Sequence, residues 1–152
     1  MKLVLQRVKK ATVTVDNKIC GECEHGFCIL AGMESCDTIS DIQKMAQKIA
    51  MLRVFADENG KMNKSLLDIN GSILLVSQFT LLADCNTGRR PSFSGAGDPK
   101  QASDLFYILT KELQQLSIPV QTGVFGADMM VHIENDGPAT FILESRQNAD
   151  RK

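Results

Sequence analysis

Asn135-Asp136-Gly137-Pro138-Ala139-Thr140 stands between two β-prone runs, Met130-Val131-His132-Ile133-Glu134 before it and Thr140-Phe141-Ile142-Leu143 after it. Proline has no N–H to give to a β ladder, so the chain is expected to leave the sheet at Pro138. Asn-Asp-Gly-Pro is ordinary turn chemistry, and a tight hairpin turn is the plainest reading. The alternative is a purpose-built element. Gly137 tolerates unusual dihedrals, and the Gly137-Pro138 bond has access to the cis isomer, found at about 5–6% of X-Pro bonds in folded proteins. Such a bond would hold backbone carbonyls rigidly. These residues alone leave both readings open.

Outward from that stretch the chain reads as a mixture of strands and helices. Residues 2–8 and 11–15 are predicted strands, the second with Ala11, Val13 and Val15 on one face and Thr12 and Thr14 on the other. Asp16-Asn17 is a turn, and β character resumes at Ile19-Cys20 and from Phe27 to Ala31. From Ser40 the period changes: Ile42, Met45, Ile49 and Leu52 recur at helical spacing, with Asp37, Thr38 or Ser40 available as N-cap. Turn signals at Asp57-Glu58-Asn59-Gly60 and Asn70-Gly71 flank a short strand or irregular connection over residues 61–67. The most apolar run, from Ser72 through Val76 and on to Leu82, is predicted as a central strand.

Residues 84–99, rich in Gly, Pro, Ser and Arg, read as a functional loop. A second amphipathic helix carries Ala102, Leu105, Leu109, Leu113 and Leu116 on one face and stops before Pro119. Residues 120–125, 127–134 and 139–143 are predicted as three further strands, and the polar tail 145–152 as frayed. The fold expected is a single mixed α/β domain over residues 1–152, with a strongly curved or barrel-like sheet and two main helices.

Composition narrows the function. A net charge of −1 argues against a protein that coats nucleic acid by bulk charge and leaves room for a local basic patch. No run of about 18 apolar residues exists, and Met1-Lys2-Leu3-Val4-Leu5-Gln6-Arg7 reads as a charged strand rather than a signal peptide, so a cytoplasmic protein is expected. Five cysteines, an odd number, point to reduced thiols. Cys20, Cys23, His25 and Cys28 hold four zinc-type donors. On strands, Cys23 and His25 share one face while Cys20 and Cys28 lean to the other, so core or edge cysteines are the simpler reading and neither metal nor cofactor is expected.

Ser77, Gln78 and Thr80 interrupt an otherwise apolar strand, and buried polar groups cost free energy unless paired. They either cap neighbouring loops at a strand end or mark a site there, with backbone N–H groups available as an oxyanion hole. Together, Ser77-Gln78-Phe79-Thr80-Leu81 and Asn135-Asp136-Gly137-Pro138-Ala139-Thr140 resemble the two signature motifs of the D-aminoacyl-tRNA deacylase family. The resemblance extends over essentially the whole chain, through Gln6-Arg7-Val8, Leu52-Arg53-Val54-Phe55, Glu58 to Asn63, Gly88 to Phe93 and Phe125-Gly126-Ala127-Asp128-Met129. It departs at Ala139, where valine is common, and in the cysteine-rich hairpin at residues 20–28.

The resemblance implies a homodimeric hydrolase that cleaves the ester between a D-amino acid, or glycine, and the terminal adenosine of tRNA, and that rejects the L form. It implies a catalytic set of Ser77, Gln78, Phe79 and Thr80, and a selectivity set of Gly137, Pro138, Arg7, Phe125, Asn135 and Ala139. In the family the Gly-Pro element enters the partner subunit's site, the residue at Arg7 helps hold it, and the residue at Phe125 lines the pocket. The only histidines, His25 and His132, lie in no triad-like motif, and Ser77 has no Gly-x-Ser-x-Gly elbow. Attack by water assisted by the neighbouring ribose hydroxyl is therefore favoured over a covalent intermediate. Lys9, Lys10, Lys61, Lys64, Arg89 and Arg90 are candidate contacts to acceptor-stem phosphates. A tRNA-binding module without catalysis is the alternative.

Overall fold

The computed structural model describes residues 1–145. The frayed tail expected beyond them lies outside the described residues. The centre of the sheet is β1 (Lys2–Val15), which runs unbroken through the two segments expected as separate strands. It stays continuous because it is paired on both edges. Along one edge it faces first β3 (Gly26–Gly32) and then β2 (Lys18–Cys23), and along the other it faces β8 (Met130–Glu144), all antiparallel. Asp16 and Asn17, at φ 49° and 62°, make the turn into β2, a conformation that Asp and Asn tolerate better than most residues.

On the far side of β3 lies β6 (Ser72–Ser77), then β7 (Val120–Thr122), both pairings parallel. β2 curls back toward β7: the Glu22 N–H donates to Gln121 Oε1 at 2.9 Å, and a Cβ on Gly21 would stand 2.5 Å from the Thr122 carbonyl oxygen. The sheet is thus nearly closed into a barrel, the mixed α/β architecture expected from the sequence. A separate two-stranded hairpin, β4 (Phe55–Ala56) and β5 (Met62–Lys64), turns at the Asp57 to Gly60 signal.

Helix α1 (Ile39–Met51) takes Thr38 as its cap: Thr38 Oγ1 accepts from the Asp41 N–H and the Asp41 carboxylate accepts from the Thr38 N–H. Helix α2 (Pro99–Gln115) starts from Asp98, whose carboxylate accepts from the Gln101 N–H, with Pro99 at the first helical position. Both helices bury their apolar faces on one side of the sheet, where Ile42, Ile49, Phe106, Leu109 and Leu113 meet Phe27, Ile29, Ile73 and Leu75. Each fully buried side chain of this size contributes about 1.5–3 kcal/mol. The opposite face closes on a smaller core of Val8, Ala11, Val13, Cys23, Cys28, Leu74 and Val76. Among the described residues no helix is long and apolar enough to cross a membrane.

Three expectations are corrected here. The central strand stops at Ser77, and Phe79–Leu82 form a 3-10 turn. Gln78, at φ −146° and ψ 78°, breaks the strand while its N–H still donates to the Ala31 carbonyl at 2.8 Å. The strands expected over 120–125 and 127–134 are shorter, because Gly126, at φ 78°, and the Ala127 N–H bond to the Val124 carbonyl fold residues 123–129 into a turn. The third concerns the opening stretch. Gln6 faces Thr140 and Val8 faces Asn135, and on either side of that break both flanks of β8 pair with β1. There is no hairpin turn. Residues 136–139 bulge out of a strand that continues in the same direction, which is how an edge strand accommodates proline. The Gly137-Pro138 bond in the bulge is cis.

Candidate active site

Because β3, β6 and β7 run parallel, they deliver their carboxyl ends to one edge, the position at which open α/β sheets hold ligands. A cavity of about 700 Å³ lies there. Ala31 and Met33 of the β3 end, Val76 and Ser77 of β6, and Gln78 and Phe79 beyond it form one wall. Phe93, Ala96, Gly97, Pro99 and Ala102 form a second, and the turn carrying Phe125, Gly126, Ala127, Asp128 and Met129 forms a third. Close packing sets the first wall: a Cβ on Gly32 would stand 3.1 Å from the Gln78 carbonyl oxygen and 3.3 Å from Leu81 Cβ. The second wall is pinned by the bridge between Glu34 and Ala96 and by Gln101 Nε2, which donates to the Ser35 carbonyl.

At the head of the 3-10 turn the Gln78 N–H is taken by Ala31 and the Leu81 N–H by the Gln78 carbonyl. The N–H groups of Phe79 and Thr80 meet no acceptor among the described residues. They are the orphan donors of a helical start, and Phe79 lines the cavity. The Gln78 side-chain amide donates to the Thr80 hydroxyl. Thr80 is exposed, and neither it nor either histidine lines the cavity. Phe79 and Phe93, 60% and 38% exposed, stand with ring centroids 5.0 Å apart at an interplanar angle of 51°.

The other predicted residues gather elsewhere, around the bulge. Arg7 Nε donates to the Asp136 carbonyl at 3.1 Å and Nη1 to the Val54 carbonyl at 2.7 Å, so one guanidinium ties the bulge to the segment after α1. The Ala139 N–H donates to Asn135 Oδ1 at 3.2 Å, while the Asn135 amide and Gln6 both reach the Thr140 hydroxyl. A Cβ on Gly137, which sits at φ +127°, would stand 2.7 Å from Arg7 Nη2. Gly137 and Pro138 are exposed, and neither lines the cavity of its own chain. His25 packs edge-on to Phe55 beside this cluster; partial burial of the ring holds its pKa below the usual histidine value, with Lys9 adding to the effect and Asp136 opposing it.

The structure therefore brings Ser77, Gln78, Phe79 and Phe125 around one cavity, and Arg7, Asn135, Gly137, Pro138 and Ala139 around one bulge. A model of the family described as D-Tyr-tRNA(Tyr) deacylase matches residues 4–144, which include both groups. The chain belongs to that family. A D-aminoacyl-tRNA deacylase of Geotalea uraniireducens (strain Rf4) is 50% identical over 151 residues, covering 99% of this chain and 97% of the relative. One of Sulfurihydrogenibium sp. (strain YO3AOP1) is 54% identical over 144 residues, covering 95% and 97%. Among solved structures, a c-Myc DNA unwinding element binding protein superposes with a TM-score of 0.91 at 41% identity, covering 97% of this chain and 100% of that one. A probable eukaryotic D-amino acid tRNA deacylase, at 16% identity and a TM-score of 0.79, shares the fold. Membership in the deacylase family sets the enzyme class, a hydrolase of ester bonds.

Two residues that fasten the bulge are not marked by the sequence. Asp136, in the middle of the opening stretch, reads there as turn chemistry only, yet Arg7 meets both its carbonyl and its carboxylate. Val54 offers only a carbonyl, which any residue would supply, so no sequence signal marks it. The four zinc-type donors do not converge: Cys23 and Cys28 lie in the inner core, Cys20 is exposed, and among the described residues no three or more of His, Cys, Asp and Glu come together as a metal site. Burial pushes the Cys23 thiol up to about 11 and the Cys28 thiol up to about 12. At pH 8 both stay protonated, and only thiolates alkylate readily. Iodoacetamide on the native protein is expected to label Cys20, Cys36 and Cys85 first, read by peptide mass spectrometry, and Cys23 and Cys28 only after denaturation.

Proposed function

We propose that the chain hydrolyses the ester of D-aminoacyl-tRNA, and of glycyl-tRNA, and rejects L-aminoacyl-tRNA, as a homodimer that proofreads charged tRNA in the cytoplasm. The observation that supports this best is the cavity at the end of β6, mostly apolar in its walls, lined by Phe79 at the head of a 3-10 turn where the Phe79 and Thr80 N–H groups meet no acceptor among the described residues. Two such donors suit the oxyanion that forms when water attacks an ester, and one donor is worth about 10²–10³ in rate. No histidine lines the cavity among the described residues, so a hydroxyl nucleophile there lacks a histidine base. Water is the nucleophile instead, hydrogen-bonded and oriented by the ribose hydroxyl beside the ester. Phe79 and Phe93 offer an aromatic surface for the terminal adenine, and stacking of that kind is worth about 1–3 kcal/mol per base.

Chirality needs a separate device. A pocket fitted to side chains discriminates by only about 10–200-fold per methylene, and an enzyme accepting many D side chains cannot read them. A backbone wall against the Cα, where an L side chain would project, rejects every L form and lets glycine pass. Gly137-Pro138 is suited to be that wall, yet it stands exposed and apart from its own chain's cavity. A second copy resolves the separation, its bulge closing the first copy's cavity. β8 favours such pairing, being an edge strand with Met130 and Ile142 exposed by 63% and 66%. For the acceptor stem, Arg89 and Arg90 make no ion pair among the described residues, whereas Lys9, Lys10 and Lys64 are paired with Asp136, Glu24 and Glu58.

Hydrolysis of D-aminoacyl-, glycyl- and L-aminoacyl-tRNA tests the reading: turnover of the first two and not the third is expected. Equal D and L rates would remove the wall, and turnover of none would leave a binding module. Thr80→Ala keeps the N–H and loses only the hydroxyl, so kcat is expected within about threefold of wild type, the scale of one exposed hydrogen bond. A folded Thr80→Ala protein without turnover, with an acyl-enzyme trapped on wild type, would restore the covalent route.

A further inference from the structure

The bulge is held by more than Arg7, and resting on the chiral-wall reading above, we infer that the Asp136 carboxylate, bridging Arg7 and Lys9, is a positioning group that sets where Gly137 and Pro138 present their backbone. Three contacts converge on Asp136. Its carbonyl accepts from Arg7 Nε at 3.1 Å, its Oδ2 lies 3.5 Å from the same nitrogen, and Lys9 Nζ lies 3.5 Å from Oδ2. The next residue is Gly137, where the Arg7 guanidinium occupies the space a Cβ would need. The Asp136 carbonyl and carboxylate share Arg7 Nε, so without the carboxylate the guanidinium is held on this residue by the main-chain bond alone. The other limb of the bulge is fastened differently, through Asn135 and Thr140, by uncharged hydrogen bonds.

The two fastenings differ in their response to salt. In the single chain the Asp136 side chain is 29% exposed, that of Arg7 13% and that of Lys9 63%; the charged limb responds to screening through Lys9 at its outer end, and the neutral limb carries no charge to screen. D- and L-aminoacyl-tRNA carry the same nucleic acid. The ratio of their hydrolysis rates therefore cancels the salt dependence of tRNA binding and leaves that of the wall.

The test measures the ratio of kcat/KM for D- over L-aminoacyl-tRNA at low and high salt in wild type, Asp136→Asn and Lys9→Met. Asp136→Asn keeps the main-chain bond to Arg7 and loses only the charge. Its ratio is expected to be about twofold to fivefold below wild type at low salt and flat with salt, while the wild-type ratio falls toward it as salt rises. Lys9→Met, a change at an exposed side chain, is expected to lower the ratio about twofold and keeps the test open if Asp136→Asn folds poorly. Variants indistinguishable from a selective wild type in both ratio and salt response would overturn the inference alone. A wild-type ratio near one would overturn the wall itself, and this inference with it.

Discussion

Ala127→Trp is expected to lower kcat/KM for D-aminoacyl-tRNA by about 100-fold or more while the protein stays folded. Ala127 stands in the turn between β7 and β8, half-buried, with its side chain on the cavity and its N–H bonded to Val124. An indole there takes up space in the cavity that faces Ser77, Gln78 and Phe79. On the proposed reading the ester lies against the head of the 3-10 turn at Phe79, and a displacement of about 1 Å in such a geometry costs about 10²-fold. The backbone bond of the turn survives, and no buried core residue is touched, so Tm is expected to move by about 2 °C or less. Steady-state kinetics with a melting curve on the same sample checks both halves. Wild-type turnover in the folded variant would place the chemistry outside this cavity.

Gly137→Ala is expected to act on selectivity rather than on chemistry. At φ +127° an L side chain is strained wherever it points, a cost of about 1–3 kcal/mol. The added Cβ would also meet Arg7 Nη2 at 2.7 Å. Arg7 is held by its bonds to the Asp136 and Val54 carbonyls, so either those bonds or the bulge must give, and both change how the bulge is held. The wall then no longer lies against the Cα of the bound amino acid, and the D-over-L ratio is expected to fall by about tenfold or more, chiefly through a gain in L hydrolysis. Parallel assays of D- and L-aminoacyl-tRNA read the ratio. A variant equally inactive on both, with an unchanged ratio, would mean that Gly137 supports the chemistry and not the discrimination.

Much of the scaffold can be read directly from residue order, because its signals are local. The helical spacing of Ile42, Met45 and Ile49, the cap choice before it and Pro99 at the start of α2 each depend on a few neighbouring residues. The misread elements depend on distant ones. Lys9 and Lys10 look like a break in β1, yet backbone pairing with β8 carries the strand through them. Phe79, Leu81 and Leu82 extend an apolar pattern, but the chain turns there against the bare Cα of Gly32. Pro138 does mark a departure from the ladder, as its missing N–H requires. That the strand then resumes is decided by β1, which holds both flanks. The site is legible in the same uneven way. Ser77, Gln78, Phe79 and Phe125 announce themselves as motif residues, Asp136 hid inside a turn signal, and Val54 contributes nothing but a carbonyl.

The central claim is that the cavity of one copy is completed by the bulge of another. It is tested most directly by adding a chain that has lost its cavity to one that has lost its wall. Ala127→Trp carries an intact bulge and a blocked cavity, and Gly137→Ala carries an open cavity and a displaced bulge. When the two are unfolded and refolded together, about half of the open cavities at equal amounts face an intact bulge. L-aminoacyl-tRNA hydrolysis per Gly137→Ala chain is then expected to fall by about half, and further with excess Ala127→Trp, while D hydrolysis per Gly137→Ala chain does not fall. Unchanged L hydrolysis at every mixing ratio, with mixed dimers demonstrated by native mass spectrometry, would show that each wall serves its own chain and would contradict the account.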